Sequence, residues 1–259
     1  MKRIGIGVSD FKHLIEEDFY YFDKTKFIDE IIKDGAQVKL FTRPRRFGKT
    51  LNMSMLKYFF DIKKADENRK LFKDLYIEKT ESFKEQGQYP VVFLSLKDLK
   101  ARTWEEMERK IIITLSDFLS EYEYLLNELT GINFENLKNI VYKKASIDDL
   151  TTALKFLTKI LYEKYNKKVV VLIDEYDSPL VSAYINGYYK KAKDFLDSAT
   201  TMIKKGASVN GIYYVAPSLN EMVLKQKKIG TYRVDKSNYF NLKKQSGREE
   251  YENYLKGEK

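Results

Sequence analysis

Two apolar runs, each breaking into a charged turn, set the narrowest limits on this chain. Residues 38–50 read VKLFTRPRRFGKT, and residues 169–177 read VVVLIDEYD. The first run enters a basic turn that ends in Gly48-Lys49-Thr50 and then opens an apolar-faced helix. The second has the unbroken Val/Leu/Ile character of a strand covered on both faces, and it ends in adjacent carboxylates, Asp174 and Glu175. A cationic phosphate cradle and an acidic metal-side partner are the two things a nucleoside triphosphate with its magnesium ion requires.

What the chain lacks narrows the chemistry further. It has no cysteine and a single histidine, His13, so disulfides, thiolate metal sites, histidine clusters and Ser-His-Asp triads are set aside. With 43% hydrophobic residues it can bury a core, yet no apolar run approaches the roughly 20 residues of a membrane helix. The N-terminus lacks the apolar stretch of a signal peptide. A cytoplasmic protein using phosphate or carboxylate chemistry is expected. The net charge of +9 is concentrated after residue 198. A basic end suits nucleic acid, but without an arginine stripe or zinc finger a solvated lysine-rich surface accounts for it.

The spacing predicts a loop running into a helix over 11–34, with Thr25 as N-cap and Ile28, Ile31 and Ile32 on one face. Strands are expected at 38–42, 90–96 and 168–174. Helices are expected at 49–60, with Leu51, Met55, Leu56 and Phe59 inward, and at 104–124. Another follows Ser146-Ile147-Asp148-Asp149, a capping-box start. Residues 61–89 read as helical in pieces and 185–205 as helix. A break is expected at 206–210, then a short strand at 211–216. Further elements are expected at 218–226 (helix), 229–234 (strand) and 246–255 (charged helix). Alternation of apolar runs with helices predicts an α/β fold with a mostly parallel sheet.

Gly48-Lys49-Thr50 draws its meaning from this context. A helix N-terminus presents unpaired N–H groups and partial positive charge to a phosphate. Lys49 reaches the β- and γ-phosphates, Thr50 turns its hydroxyl to Mg2+, and Gly48 leaves room for close approach. The usual loop pattern wants glycine where this chain has Arg43, and Pro44 fixes its own φ. Arg43, Arg45 and Arg46 either add cation to the phosphate site or face solvent. The candidate phosphate-binding set is Arg45, Arg46, Phe47, Gly48, Lys49, Thr50 and Leu51. The plain alternative is a basic loop capping an ordinary helix. At the other strand end, Asp174 is the candidate metal ligand with Thr50, and Glu175 the group that orients the attacking water, with Lys49 as its catalytic partner. The plain alternative is a pair of solvated acids.

The stretches FYYFDKTKFIDEII, LFTRPRRFGKTLNMSMLKYFFD, PVVFLSLKDLK, VVVLIDEYDSPL and AYINGYY together closely resemble the bacterial AAA-ATPase-like family, from about Ile4 to about Leu196. That resemblance implies a three-layer P-loop NTPase fold, ATP and Mg2+ as cofactors, and Lys49, Thr50, Asp174 and Glu175 as the functional set. In that family the arginine-rich loop is normal, and the P-loop domain is often paired with a nuclease-like domain of the PD-(D/E)XK type. It also implies that Asp23-Lys24-Thr25 lies upstream of the phosphate loop, near the adenine; helix capping is the alternative. Residues 195–235 resemble the end of sugar nucleotidyltransferase or glycosyltransferase-like proteins. The expectation is therefore a P-loop domain over 1–197, truncated before its sensor strand, with an unrelated basic tail over 198–259. The function expected is ATP binding with ATP hydrolysis. The alternatives are a non-catalytic nucleotide-dependent interaction module, working with a protein partner or as a homo-oligomer, and a nucleotide-sugar transferase fragment.

Overall fold

Continuous Val/Ile/Leu runs need helices on both sides, and the chain supplies them. In the computed structural model, residues 2–34, 36, 38, 39, 41, 48–210 and 213–215 are described. Helices α1 (Phe11–Glu16) and α2 (Lys26–Lys33) precede strand β1 (Val38–Lys39), and α3 (Lys49–Phe60) follows it. A short helix, α4 (Ala65–Arg69), sits among 3-10 turns before β2 (Val91–Ser95). Helices α5 (Trp104–Ser120), α6 (Gly131–Val141) and α7 (Ile147–Tyr165) lead to β3 (Val170–Asp174). The chain continues through α8 (Asp177–Ile185) and α9 (Tyr189–Asn210) to β4 (Tyr213–Val215).

The strands form one parallel sheet in the order β1-β4-β3-β2. Alternate residues of β2 and β3 feed separate cores, as a two-residue period demands. Val92, Leu94, Val171 and Ile173 pack with α5, α6 and α7 through Met107, Ile111, Leu137, Leu154 and Leu161. Val91, Val170 and Leu172 pack on the other face with Phe11, Ile28, Met55, Leu56 and Phe59. The α/β architecture expected from the alternation of apolar runs is thus present, with helices on both sides of the sheet.

Several elements differ from expectation. Residues 11–16 are helical rather than loop, because the Asp10 carboxylate accepts the His13 N–H at 2.8 Å and caps a helix too short for periodicity to reveal. Thr25 occupies the N-cap position of α2 but makes no capping bond. Its hydroxyl instead accepts the Ile77 N–H at 3.1 Å and donates to Asp23 Oδ1 at 2.6 Å. The break expected at 206–210 is absent: α9 runs through Gly206 to Asn210. The interruption falls earlier, at Gly187, whose φ of 79° stops α8. The short strand expected at 211–216 is β4, lying between β1 and β3. Part of the segment assigned by sequence to a separate tail therefore contributes a strand to this sheet. The elements expected at 218–226, 229–234 and 246–255 lie outside the described residues.

Candidate functional site at the carboxyl edge of the sheet

In a parallel sheet all strands deliver their C-terminal ends to one edge, where open α/β sheets bind ligands. Val38 and Lys39 pair with Tyr214 and Val215, while Val171 and Leu172 pair with the same two residues from the other side. Lys39, the last residue of β1, therefore lies level with Leu172, one strand apart and two residues before the end of β3. Beyond β1, the Phe41 ring packs edge-on against Phe27 of α2, with centroids 4.7 Å apart.

Gly48 is the N-cap of α3, with φ 73° and ψ 23°. This left-handed conformation suits glycine and strains any residue with a Cβ. Its carbonyl accepts the Asn52 N–H at 2.9 Å, closing the first helical turn. Gly48 has no side chain with which to cap this end, and Lys49, Thr50 and Leu51 follow as the first three helical residues, with no intrahelical acceptor for their N–H groups. All three are half-buried. Met53, Met55 and Leu56 hold α3 against Val170 and Leu172 of β3. Arg45, Arg46 and Phe47 of the candidate set lie outside the described residues, as do Arg43 and Pro44.

Asp174 ends β3. Its carbonyl accepts the Leu96 N–H at 3.0 Å, and its side chain is buried, at 5% exposure. Among the described residues no hydrogen bond or ion pair to that carboxylate forms. A carboxylate with no such partner is open to a cation supplied with a ligand. No cluster of three metal-binding side chains occurs among the described residues. A magnesium ion carried on phosphate needs none, since it keeps waters and takes only one or two carboxylates from protein. The residues present fit such an ion.

Glu175 follows with φ 55°, a left-handed backbone in a residue that carries a Cβ. Strain of this kind costs on the order of 1 kcal/mol and persists where surrounding structure enforces it. The enforcement is visible: the Glu175 carbonyl accepts the Ser178 N–H at 3.0 Å, and Oε2 accepts the Ser178 hydroxyl at 3.2 Å. This turn aims the chain from β3 into α8. Between them, Tyr176 has its phenol pushed up to about 12 by burial, with the Asp177 charge adding to the effect.

The Asp23-Lys24-Thr25 segment is fixed by long-range bonds rather than by helix capping. Asp23 Oδ1 accepts the Thr25 N–H at 2.8 Å, and Oδ2 accepts the Tyr76 N–H at 2.7 Å. The Lys24 N–H donates to the Tyr21 hydroxyl at 3.2 Å, and that hydroxyl lies 3.2 Å from Met55 Sδ of α3. Sequence reasoning named this segment but gave Lys24 no role of its own. A wide-mouthed cavity lined by Arg102, Trp104, Asn186, Tyr188 and Lys191 includes none of the candidate residues.

Comparison with known proteins gives a family. Residues 5–215 match the AAA-ATPase-like family described as "Predicted AAA-ATPase". The match passes Leu196 and takes in α9 and β4. A curated protein of Azotobacter chroococcum mcd 1, described as "Uncharacterized protein in vnfD 5'region", is 29% identical over 181 residues. The aligned part is 70% of this chain but 30% of that protein, so the chain spans about a third of its relative's length. No solved structure matches the chain.

Proposed function

The chain belongs to the AAA-ATPase-like family, and from that premise we propose that it is a P-loop NTPase domain that binds ATP with Mg2+ and hydrolyses it. The observation that carries this reading is the parallel alignment of β1 and β3 on β4, which sets Lys39 level with Leu172, two residues before Asp174. On this reading the start of α3 and the carboxylate of Asp174 meet a triphosphate at the carboxyl edge of the sheet.

The unpaired N–H groups of Lys49, Thr50 and Leu51 bind phosphate oxygens, helped by the positive end of α3. The Lys49 ammonium bears on the terminal phosphates. Arg45, Arg46 and Phe47 complete the loop by sequence, the arginines adding positive charge. The Thr50 hydroxyl and the Asp174 carboxylate hold the Mg2+ ion, which when bound neutralises phosphate charge. Glu175 orients a water in line with the γ-phosphorus and takes up its proton. A bond from the water oxygen to phosphorus forms as the bond to the bridging oxygen of ADP breaks. Lys49 stabilises the charge that gathers on the leaving oxygens.

Phosphate release from MgATP by the wild type and Asp174→Ala tests this. Turnover in the wild type that disappears in the variant supports hydrolysis; background rates in both reject it. One feature favours a second reading, a nucleotide-dependent switch without turnover. Glu175 Oε2 accepts the Ser178 hydroxyl at the start of α8, a contact that competes with a water for that oxygen. Tight ATP binding with background turnover in both proteins selects that reading.

A further inference from the structure

We propose that Lys24 is a second phosphate-binding cation of this site, brought to the start of α3 from the segment upstream of β1. This inference rests on the nucleotide reading above and adds to it a residue that no phosphate-loop pattern contains.

The Lys24 ammonium nitrogen sits 3.7 Å from where a Cβ on Gly48 would stand. Gly48 is the N-cap of α3, so the lysine points its charge at the helix end, whose first N–H groups have no intrahelical acceptor. Positive potential from two independent sources, the helix dipole and an ammonium, thus converges on one spot.

The placement is built rather than incidental. Both backbone polar groups of Lys24 are committed: its N–H to the Tyr21 hydroxyl, and its carbonyl to the Phe27 N–H at 2.9 Å. Asp23 and Thr25 on either side are tied to Tyr76 and Ile77. Tyr21 reaches Met55 in α3 itself, and Phe27 packs on Phe41 at the exit of β1. The backbone that carries Lys24 is therefore braced against both elements that flank the phosphate loop. The side chain is exposed, free of the burial cost that would hold an ammonium away from a ligand. This places the segment at the phosphate end of the nucleotide rather than at the adenine.

The test is equilibrium binding of MgATP to the full chain, with inorganic tripolyphosphate as competitor, in wild type, Lys24→Ala, Lys24→Gln, Lys24→Arg and Lys49→Ala. Loss of one charge-assisted contact at an accessible site weakens ATP roughly tenfold in Lys24→Ala and Lys24→Gln. Tripolyphosphate should weaken in parallel, and Lys24→Arg should stay within about threefold of wild type because it keeps the charge. Unliganded melting temperatures of the Lys24 variants should match wild type within about 2 °C, as expected for an exposed side chain. Wild-type affinity in both neutral variants, with Lys49→Ala defective, overturns the role of Lys24 and leaves the nucleotide reading standing. Weaker ATP with unchanged tripolyphosphate also overturns it, and assigns the segment to the base. Absence of ATP binding in the wild type removes both proposals together.

Discussion

Lys39 and Leu172 stand level across the sheet, one strand apart, because each is the register partner of Val215. Two residues beyond Leu172 is Asp174, and two beyond Lys39 is Phe41. A register fixed by three parallel strands sets Asp174 two residues past the level of the last residue of β1. Slipping β4 by a single residue would exchange the faces of its side chains as well as this alignment.

Glu175 combines a strained backbone with a chemically placed carboxylate, so two substitutions separate its roles. Glu175→Gln keeps the Ser178 contact and is expected to bind ATP like wild type while losing turnover by about 100-fold or more, the usual worth of a positioned base. Glu175→Gly removes the same carboxylate but relieves the φ of 55°, and it should raise unfolding stability by about 1 kcal/mol. Single-turnover hydrolysis and chemical denaturation read the two effects. Equal turnover in wild type and Glu175→Gln would remove the base assignment.

Gly48→Ala should act through the backbone. Among the described residues, the nearest atom to the added methyl is Lys24 Nζ at 3.7 Å, an ordinary contact, so sterics contribute little. A φ of 73° in alanine costs about 1–2 kcal/mol. For a chain of this size that lowers the melting temperature by a few degrees. ATP affinity should fall further, since the methyl stands at the helix end where phosphate approaches. An unchanged melting temperature would mean that the turn relaxes without the left-handed residue.

Asp29 gives the fold an acid-sensitive element remote from the site. Its buried carboxylate accepts from Lys33 Nζ at 2.8 Å and from the Ser82 hydroxyl at 2.6 Å. Those bonds, that to Lys33 foremost, hold its carboxyl below the usual range. A carboxylate depressed in the folded state adds stability above the unfolded value of about 4, and that stability is lost as pH falls through the folded value. Asp29→Asn should therefore melt lower than wild type at pH 7, with the gap narrowing below about pH 4. A gap that stays constant down to pH 3 would contradict this assignment.

Much of the fold was legible because local and tertiary preferences agree. Helix α3 begins and ends where Gly48 and the spacing of Met55, Leu56 and Phe59 place it. Ser146 and Asp149 form the reciprocal cap that their spacing announces, with bonds of 3.2 and 2.9 Å. Strand β3 stands out because it is buried along its whole length. What escaped notice depends on distant partners. The Thr25 hydroxyl answers to Ile77, 52 residues away, and not to its own helix. Helix α1 depends on Asp10, whose other oxygen accepts from Ser54 and Tyr58 of α3. At the site, the letters Asp174 and Glu175 were readable, but the left-handed turn at Glu175 and the approach of Lys24 to Gly48 exist only in three dimensions.

Thermal unfolding of the full chain with and without MgATP, in wild type and Lys49→Ala, tests the central claim most directly. A ligand selective for the native state stabilises it by about 2.7 kcal/mol at one hundred times its Kd, which corresponds to roughly 5–10 °C here. The account predicts that shift in the wild type and its loss in Lys49→Ala, with similar unliganded melting temperatures. Equal shifts in the two proteins, or no shift in the wild type at saturating MgATP, would contradict it.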